Sequence, residues 1–292
     1  TREFISIDRL SSEGEEMSLW FGLKTCEPGS GEFEQSLGII RGLQSWASLR
    51  AVHYTSRPSH ADQLHLDLWF RGENIAIDAG TYSYNGQPPW DNSLTSSLVH
   101  NTVSINGQDQ MTRAGRFLYL DWPEADYLPA EKDQPAAIKS CKSRLSAYQR
   151  FGILHQRQVM VFEGDRWLVT DQLSRNQPKN NENAGIQPVT CRLHWLLPDL
   201  PWKLETLPDG CLLSLQSEIG QINLNIHSDQ PISRTGLVRA GELVQGQALF
   251  FPFSGWFSPA YNQKYPALSL AVEIETSENI QLESEFSLQV IK

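Results

Sequence analysis

The chain has 292 residues, of which 40% are hydrophobic and 20% charged, and a formal net charge of −10. That length supports a substantial core, and the composition belongs to an ordinary globular protein and not to a disordered one. The acidic balance excludes unspecific nucleic-acid binding, which needs a basic surface, and weighs against a heavily sulfated polyanion unless a local basic patch overrides it.

Residues 1–35 are the least strand-like part. Ser11-Ser12-Glu13-Gly14-Glu15-Glu16 precedes a short apolar run over 17–23, and Pro28-Gly29-Ser30-Gly31 then breaks the chain. This stretch reads as a linker or as the tail of a preceding helical unit, and residues 36–292 as one β-domain. The opening Thr1-Arg2-Glu3-Phe4 lacks an initiator Met and is read as a fragment or processed form, so the lack of a targeting signal carries no information.

From Leu37 onward strand signals dominate. Residues 39–41 and 46–52 flank a Gly-containing turn and predict a hairpin. In 64–70, strict alternation places Leu64, Leu66, Leu68 and Phe70 on one face and His65, Asp67 and Trp69 on the other. Arg71-Gly72-Glu73-Asn74 turns the chain into 75–78, and a simple turn there would set Phe70 opposite Ile75 and Asp78 opposite Asp67. The loop over 80–99, rich in Asn, Pro, Gly and aromatics, has the length that functional loops often have.

Further strands are expected at 102–105, ending in an Asn106-Gly107 turn, and at 116–120, 137–145, 153–163 and 166–173, the last two joined across Gly164-Asp165. A polar insert at 174–189 reads as a mobile loop. Strands resume at 190–196, 211–217, 220–226, 267–275 and 280–291. Many short strands at regular spacing predict an all-β fold, a large antiparallel β-sandwich. No apolar run reaches the length of a membrane span. Cys26, Cys141, Cys191 and Cys211 show neither CxxC nor zinc-finger spacing and read as buried thiols. There is no GxSxG, no phosphate-binding loop and no Cys beside a His.

Three candidate metal ligands surround one predicted hairpin: His60, Asp78 and His100. Two imidazoles and one carboxylate suit a zinc-like divalent ion while leaving a fourth position for water or substrate. Spacing alone does not deliver this site. His60 lies roughly 20 Å along an extended strand from the residue facing Asp78, so 59–63 must fold back, as in a helical turn. Asp62 is then a candidate to orient an imidazole, and Asn101 a supporting or turn residue.

Taken together, Ser59-His60-Ala61-Asp62-Gln63-Leu64, Gly72, Asp78-Ala79-Gly80-Thr81-Tyr82-Ser83-Tyr84 and Val99-His100-Asn101-Thr102-Val103 resemble the heparinase II/III-like family of polysaccharide lyases. Gly255-Trp256-Phe257-Ser258-Pro259-Ala260-Tyr261 is similar to that family's Gly-Trp-x-Ser-Pro-x-Tyr segment. His155-Gln156-Arg157 and Leu193-His194-Trp195 match its His-x-Arg and its His-containing strand. The resemblance covers about residues 36–290. It implies the C-terminal super-β-sandwich half of a two-domain lyase, with an N-terminal α/α toroid as missing partner domain, an acidic polysaccharide as substrate, and a periplasmic or secreted location. It also implies His60, Asp78 and His100 as ligands of a divalent metal, with zinc the expected ion. Isolated from its toroid, the sandwich half would bind metal and catalyse poorly or not at all.

The implied chemistry is β-elimination at a uronic acid, with Tyr and His as acid and base. The family's catalytic His lies two residues before its first metal His, where this chain has Pro58, which transfers no proton. Tyr84 and Tyr82 are the better acid/base candidates, with His53 as a possible substitute. Trp90, like Trp69 and Trp122, could stack on a sugar ring, and Arg113 and Arg116 could hold a uronate carboxylate. Two other readings stay open: a noncatalytic carbohydrate-binding or structural module, and a mutarotase-like or cupin-like metal enzyme acting alone.

Overall fold

The computed structural model describes residues 37–129, 137–175 and 187–289. The expected tail over 1–35 and the middle of the expected polar insert lie outside them. Strands β1 (Leu37–Arg41), β2 (Ser45–Arg50), β3 (Leu66–Phe70) and β4 (Glu73–Ala76) form a four-stranded antiparallel sheet in chain order. Next come β5 (Val103–Ile105), β6 (Thr112–Gly115), β7 (Leu118–Leu120), β8 (Ala125–Leu128), β9 (Lys139–Leu145), β10 (Ile153–Phe162), β11 (Arg166–Arg175) and β12 (Val189–Pro198). The chain closes with β13 (Trp202–Leu207), β14 (Gly210–Ser217), β15 (Gly220–Ser228), β16 (Arg234–Arg239), β17 (Glu242–Gly246), β18 (Trp256–Ala260), β19 (Gln263–Thr276) and β20 (Ile280–Gln289).

An eight-stranded sheet runs β13-β14-β15-β20-β11-β10-β9-β8. A second sheet runs β17-β16-β19-β12-β5, with β18 also on β19, while β6 and β7 form a separate hairpin. The four-stranded sheet continues the second layer: beyond β4, Ile77 N–H donates to Leu196 O of β12 at 2.9 Å. One hydrophobic core lies between the layers, joining Val159, Val169 and Phe286 of the long sheet to Leu49, Leu68, Leu193 and Val272 of the facing layer. The expected large antiparallel β-sandwich is the fold observed.

Alternation explains most of these strands. In β15, Ile222, Leu224 and Ile226 point inward while Asn223 and Asn225 point away. Strand β12 does not alternate because both of its faces are covered. Cys191, Leu193, Trp195 and Leu197 enter the core, whereas Arg192 and His194 lie under the loop before β5, on the carbonyls of Leu98 and His100.

Two local features depart from the sequence expectation. The β3–β4 turn is tighter than predicted: Arg71 and Gly72, at φ 49° and 83°, make a two-residue turn, so Phe70 faces Glu73 and not Ile75. A bulge between Leu68 and Trp69 shifts the register again, pairing Leu68 with Ala76. Strand β2 also stops at Arg50, short of the expected 52, because Arg50 and His65 close a loop there: Arg50 N–H donates to His65 O and Leu64 N–H to Arg50 O.

Asp165, at φ 55° in the β10–β11 turn, ties that hairpin to the β1–β2 turn. Its carboxylate accepts from Leu43 N–H (2.8 Å) and Ser45 Oγ (2.5 Å), while Trp167 Nε1–H donates to the same hydroxyl. Cys141, Cys191 and Cys211 are free thiols, the last two buried. Among the described residues, no helix is long and apolar enough to cross a membrane.

Candidate metal centre and adjoining cleft

The 51–65 loop carries His60 back over the sheet, and two buried amides give it shape. Gln63 acts as a pseudo-peptide toward Val52, its Oε1 accepting from Val52 N–H (2.9 Å) and its Nε2 donating to Val52 O (2.7 Å). Gln110 does the same for the Gln63 backbone, at 2.8 Å in both directions. The reversal is completed by Leu64 at φ 57°, not by a helical turn. Strain at such a residue, on the order of 1–2 kcal/mol, persists only where surrounding contacts enforce it.

Asp78 follows β4, and its Oδ1 accepts from Gly80 N–H at 2.6 Å. Gly80 must be glycine: its φ is 68°, and a Cβ would collide with the Ser258 carbonyl, which approaches where Ser258 N–H donates to Ala79 O. His100 follows a short 3-10 turn over Ser97–Val99. Beside it, Asn101 stitches three elements, its Nδ2 donating to Leu66 O and Ile77 O and its Oδ1 accepting from Leu196 N–H.

These segments bring one donor atom from each of His60, Asp78 and His100 within 4.8 Å of one another, a grouping able to hold a metal ion. Their partners show which nitrogens face inward, Nε2 of His100 and Nδ1 of His60. His100 Nδ1–H donates to Ser96 O at 2.7 Å, leaving the Nε2 lone pair free. His60 Nε2 lies 2.9 Å from Thr81 Oγ1, a hydroxyl able to accept or to donate, and its Nδ1 faces His100 Nε2 across 3.3 Å. With Thr81 accepting, two lone pairs face each other and a cation can lie between them; with Thr81 donating, His60 Nδ1–H donates to His100 Nε2. In a tetrahedral zinc site with bonds of about 2.0–2.1 Å, neighbouring donors lie about 3.3 Å apart. The imidazole pair fits that spacing, and Asp78 Oδ2, 3.7 Å from His100 Nε2, completes the set.

Electrostatics agree with this assignment. Burial, and next the neighbouring His100, lower the His60 pKa and keep the ring neutral, as a ligand must be. Burial opposes the charge of Asp78, but His100, His65, His60 and the Gly80 N–H outweigh it and hold the carboxyl well below the usual range.

His65, read from sequence only as a strand-face residue, also belongs to this site. Its Nδ1 accepts from Asn101 N–H (3.0 Å), so in the neutral ring Nε2 carries the proton, 3.4 Å from Asp78 Oδ2. It therefore steadies the carboxylate and offers no lone pair to a metal. Burial opposes its protonation, but Asp67 and Asp78 outweigh burial and raise its pKa. The only hint in the sequence was its placement two residues before Asp67 on the face away from the core.

His60 also lines a cleft of about 320 Å³, with Arg57, Pro58, Thr81, Tyr84 and Phe117. Tyr84 is exposed and packs against Phe117 (5.4 Å between ring centroids) and Tyr261 (5.1 Å). Tyr82 instead lies beneath Trp90, where Lys264 Nζ sits over the rings of Trp90 (3.2 Å), Trp256 (4.3 Å) and Tyr82 (5.2 Å). Lys264 thus covers a face of Trp90. His53 is drawn off to Asp126 at 2.9 Å, and Asp62, expected to orient an imidazole, pairs with Arg50 at 3.0 Å. Arg113 donates to Asp91 O and Arg116 to Asn85 Oδ1, so both brace the 80–99 loop. Trp69 stacks on Trp46, and Trp122 packs edge-on against Tyr54. Of the expected residues, the structure brings His60, Asp78, His100 and Tyr84 to one place.

Comparison with known proteins bears on the whole sandwich. The chain is 21% identical over 212 residues to a heparin-sulfate lyase of Bacteroides stercoris, covering 72% of this chain and 26% of that protein. A solved heparinase III superimposes with a TM-score of 0.66 at 14% identity, over 97% of this chain and 40% of the other. The heparan sulfate lyase of Pedobacter heparinus gives 0.63 at 15% identity, over 98% and 42%. These structures establish the fold, and the chain spans about a quarter of the curated relative and about two fifths of the solved ones. The family described as "Heparinase II/III-like, C-terminal" matches residues 46–285, and the chain belongs to it.

Proposed function

We propose that this chain is the metal-holding β-sandwich portion of a polysaccharide lyase that cleaves uronic-acid glycans by β-elimination. The observation that carries the reading is the convergence of His60, Asp78 and His100 beside a cleft that also presents Tyr84. In the reaction a base removes the C5 proton next to the uronate carboxylate. The electron pair forms the C4–C5 double bond, the C4–O bond breaks, and the departing glycosidic oxygen takes up a proton. A zinc ion held by the three ligands would supply fixed positive charge near the developing enolate.

The chain's own residues divide the remaining work. Tyr84, exposed in the cleft, would move the proton, and Phe117 would pack against a sugar face. Arg57 would attract the carboxylate from the rim. Pro58, at the place of the family's catalytic His, moves no proton. A helical partner domain would complete the cleft and contribute the remaining acid/base group and sugar contacts.

The test is ultraviolet absorbance of the unsaturated uronate product, measured with the native polypeptide containing this chain on a panel of uronate glycans. Tyr84→Phe is expected to lower the rate about 10²–10⁴-fold while glycan binding persists. Glycan binding without absorbance on any substrate would instead support a noncatalytic binding module, the reading that Pro58 favours.

A further inference from the structure

We infer that Arg157 is a positioning residue for the metal centre, holding the two ligand-bearing loops in register from beneath. The inference rests on the reading that His60, Asp78 and His100 bind a divalent ion.

Arg157 lies on β10 with no solvent exposure, its guanidinium over the Trp195 ring at 5.4 Å. Its Nε and Nη2 donate to the two carboxylate oxygens of Asp171, at 2.7 and 2.8 Å. An ion pair would be complete with those two bonds. The third arm does something else: Nη1 donates both to Leu64 O, at 2.8 Å, and to Asn101 O. Leu64 is the left-handed residue that turns the His60 loop back, and Asn101 directly follows His100 and donates its N–H to His65. One planar donor fork therefore fixes the peptide beside each imidazole-bearing segment.

The geometry requires arginine. A lysine ammonium can pair with Asp171 but cannot span that carboxylate and both carbonyls in one plane. Removing partners that orient metal ligands typically lowers metal affinity 10–100-fold.

The experiment compares zinc affinity, by chelator competition, and melting temperature with and without zinc for this chain and for Arg157→Lys. The expected result is a 10–100-fold loss of zinc affinity and a smaller zinc-dependent rise in melting temperature. Equal falls with and without zinc, at unchanged affinity, would show a merely structural arginine and overturn the inference. Absence of zinc binding in the unmodified chain would sink the metal reading itself, a separable outcome. Should Arg157→Lys fail to fold, Arg157→Met combined with Asp171→Asn removes both charges while leaving an acceptor for His155. Weakened zinc binding in that folded variant supports the role, and undiminished binding refutes it.

Discussion

Replacing His100 with alanine is expected to weaken divalent-ion binding about a hundredfold and so to cut the metal retained through dialysis. His100 is fully buried, and its Nδ1–H is committed to Ser96 O, so the ring cannot rotate away from the site. Structural zinc sites with about four ligands are worth roughly 10–16 kcal/mol, so loss of one donor removes about 3 kcal/mol, on the order of a hundredfold in affinity. Asp78→Asn should have a similar effect with less disturbance of packing, because the amide keeps an acceptor for Gly80 N–H. Each substitution should also erase the stabilisation that the ion confers on the fold. Elemental analysis of the dialysed proteins reads the effect, and metal content equal to that of the unmodified chain would count against these ligands.

The second large effect lies in the core. Asp171→Ala should destabilise the fold by about 3–5 kcal/mol, because it leaves the Arg157 charge buried without a counterion. His155 Nε2–H, 2.6 Å from Asp171 Oδ1, loses its acceptor as well. At this chain length that corresponds to roughly 10 °C in melting temperature. Burial alone would raise the Asp171 pKa, but Arg157, helped by hydrogen bonds from His155 and Arg157, brings it down to about 2.

A carboxyl with a depressed folded value binds fewer protons folded than unfolded. Its contribution, about 2 kcal/mol, is therefore present above the unfolded value near pH 4 and lost as pH falls through about 2. His155 adds an earlier loss: burial lowers its pKa, so stability starts to fall as pH drops through the unfolded value near 6.5. Denaturant titrations across this range should show a shallower loss between about pH 4 and 2 in Asp171→Ala than in the unmodified chain, the remainder coming from other depressed carboxyls such as Asp78. A wild-type fold indifferent to pH there would contradict this account of the pair.

The long strands were legible because their sequences alternate. The expected 153–163, 166–173 and 220–226 appear as β10, β11 and β15 with boundaries shifted by a residue or two. The Asn106-Gly107 and Gly164-Asp165 turns were legible from residues that tolerate positive φ. Strands β6, β8, β13, β16, β17 and β18 were not assigned: β6 and β8 have four residues each, β13 alternates only over Trp202–Glu205, and Gly236 within β16, adjacent Leu243 and Val244 on β17 and Pro259 within β18 break or blur the two-residue period. The hairpin register was misjudged because nothing in Phe70-Arg71-Gly72-Glu73 announces that an arginine takes a positive φ, nor that a bulge follows.

At the site, the three candidate ligands could be named from motif resemblance, yet the means of bringing them together was invisible. It depends on Gln63 pairing with Val52, Gln110 with Gln63, and Arg157 with carbonyls far away in sequence. Such long-range side-chain-to-backbone bonds leave no local periodicity. His65 escaped notice for a related reason: its role follows from the Asn101 N–H that fixes its tautomer, which spacing does not encode.

X-ray absorption at the zinc edge, on the zinc-loaded chain, addresses the convergence of His60, Asp78 and His100 most directly. The expected spectrum contains scattering from two imidazole rings and a total of about four nitrogen or oxygen ligands at about 2.0–2.1 Å, reduced to one imidazole in His60→Ala. A spectrum with sulfur ligands, with no imidazole scattering, or unchanged by His60→Ala would show that any bound ion sits elsewhere.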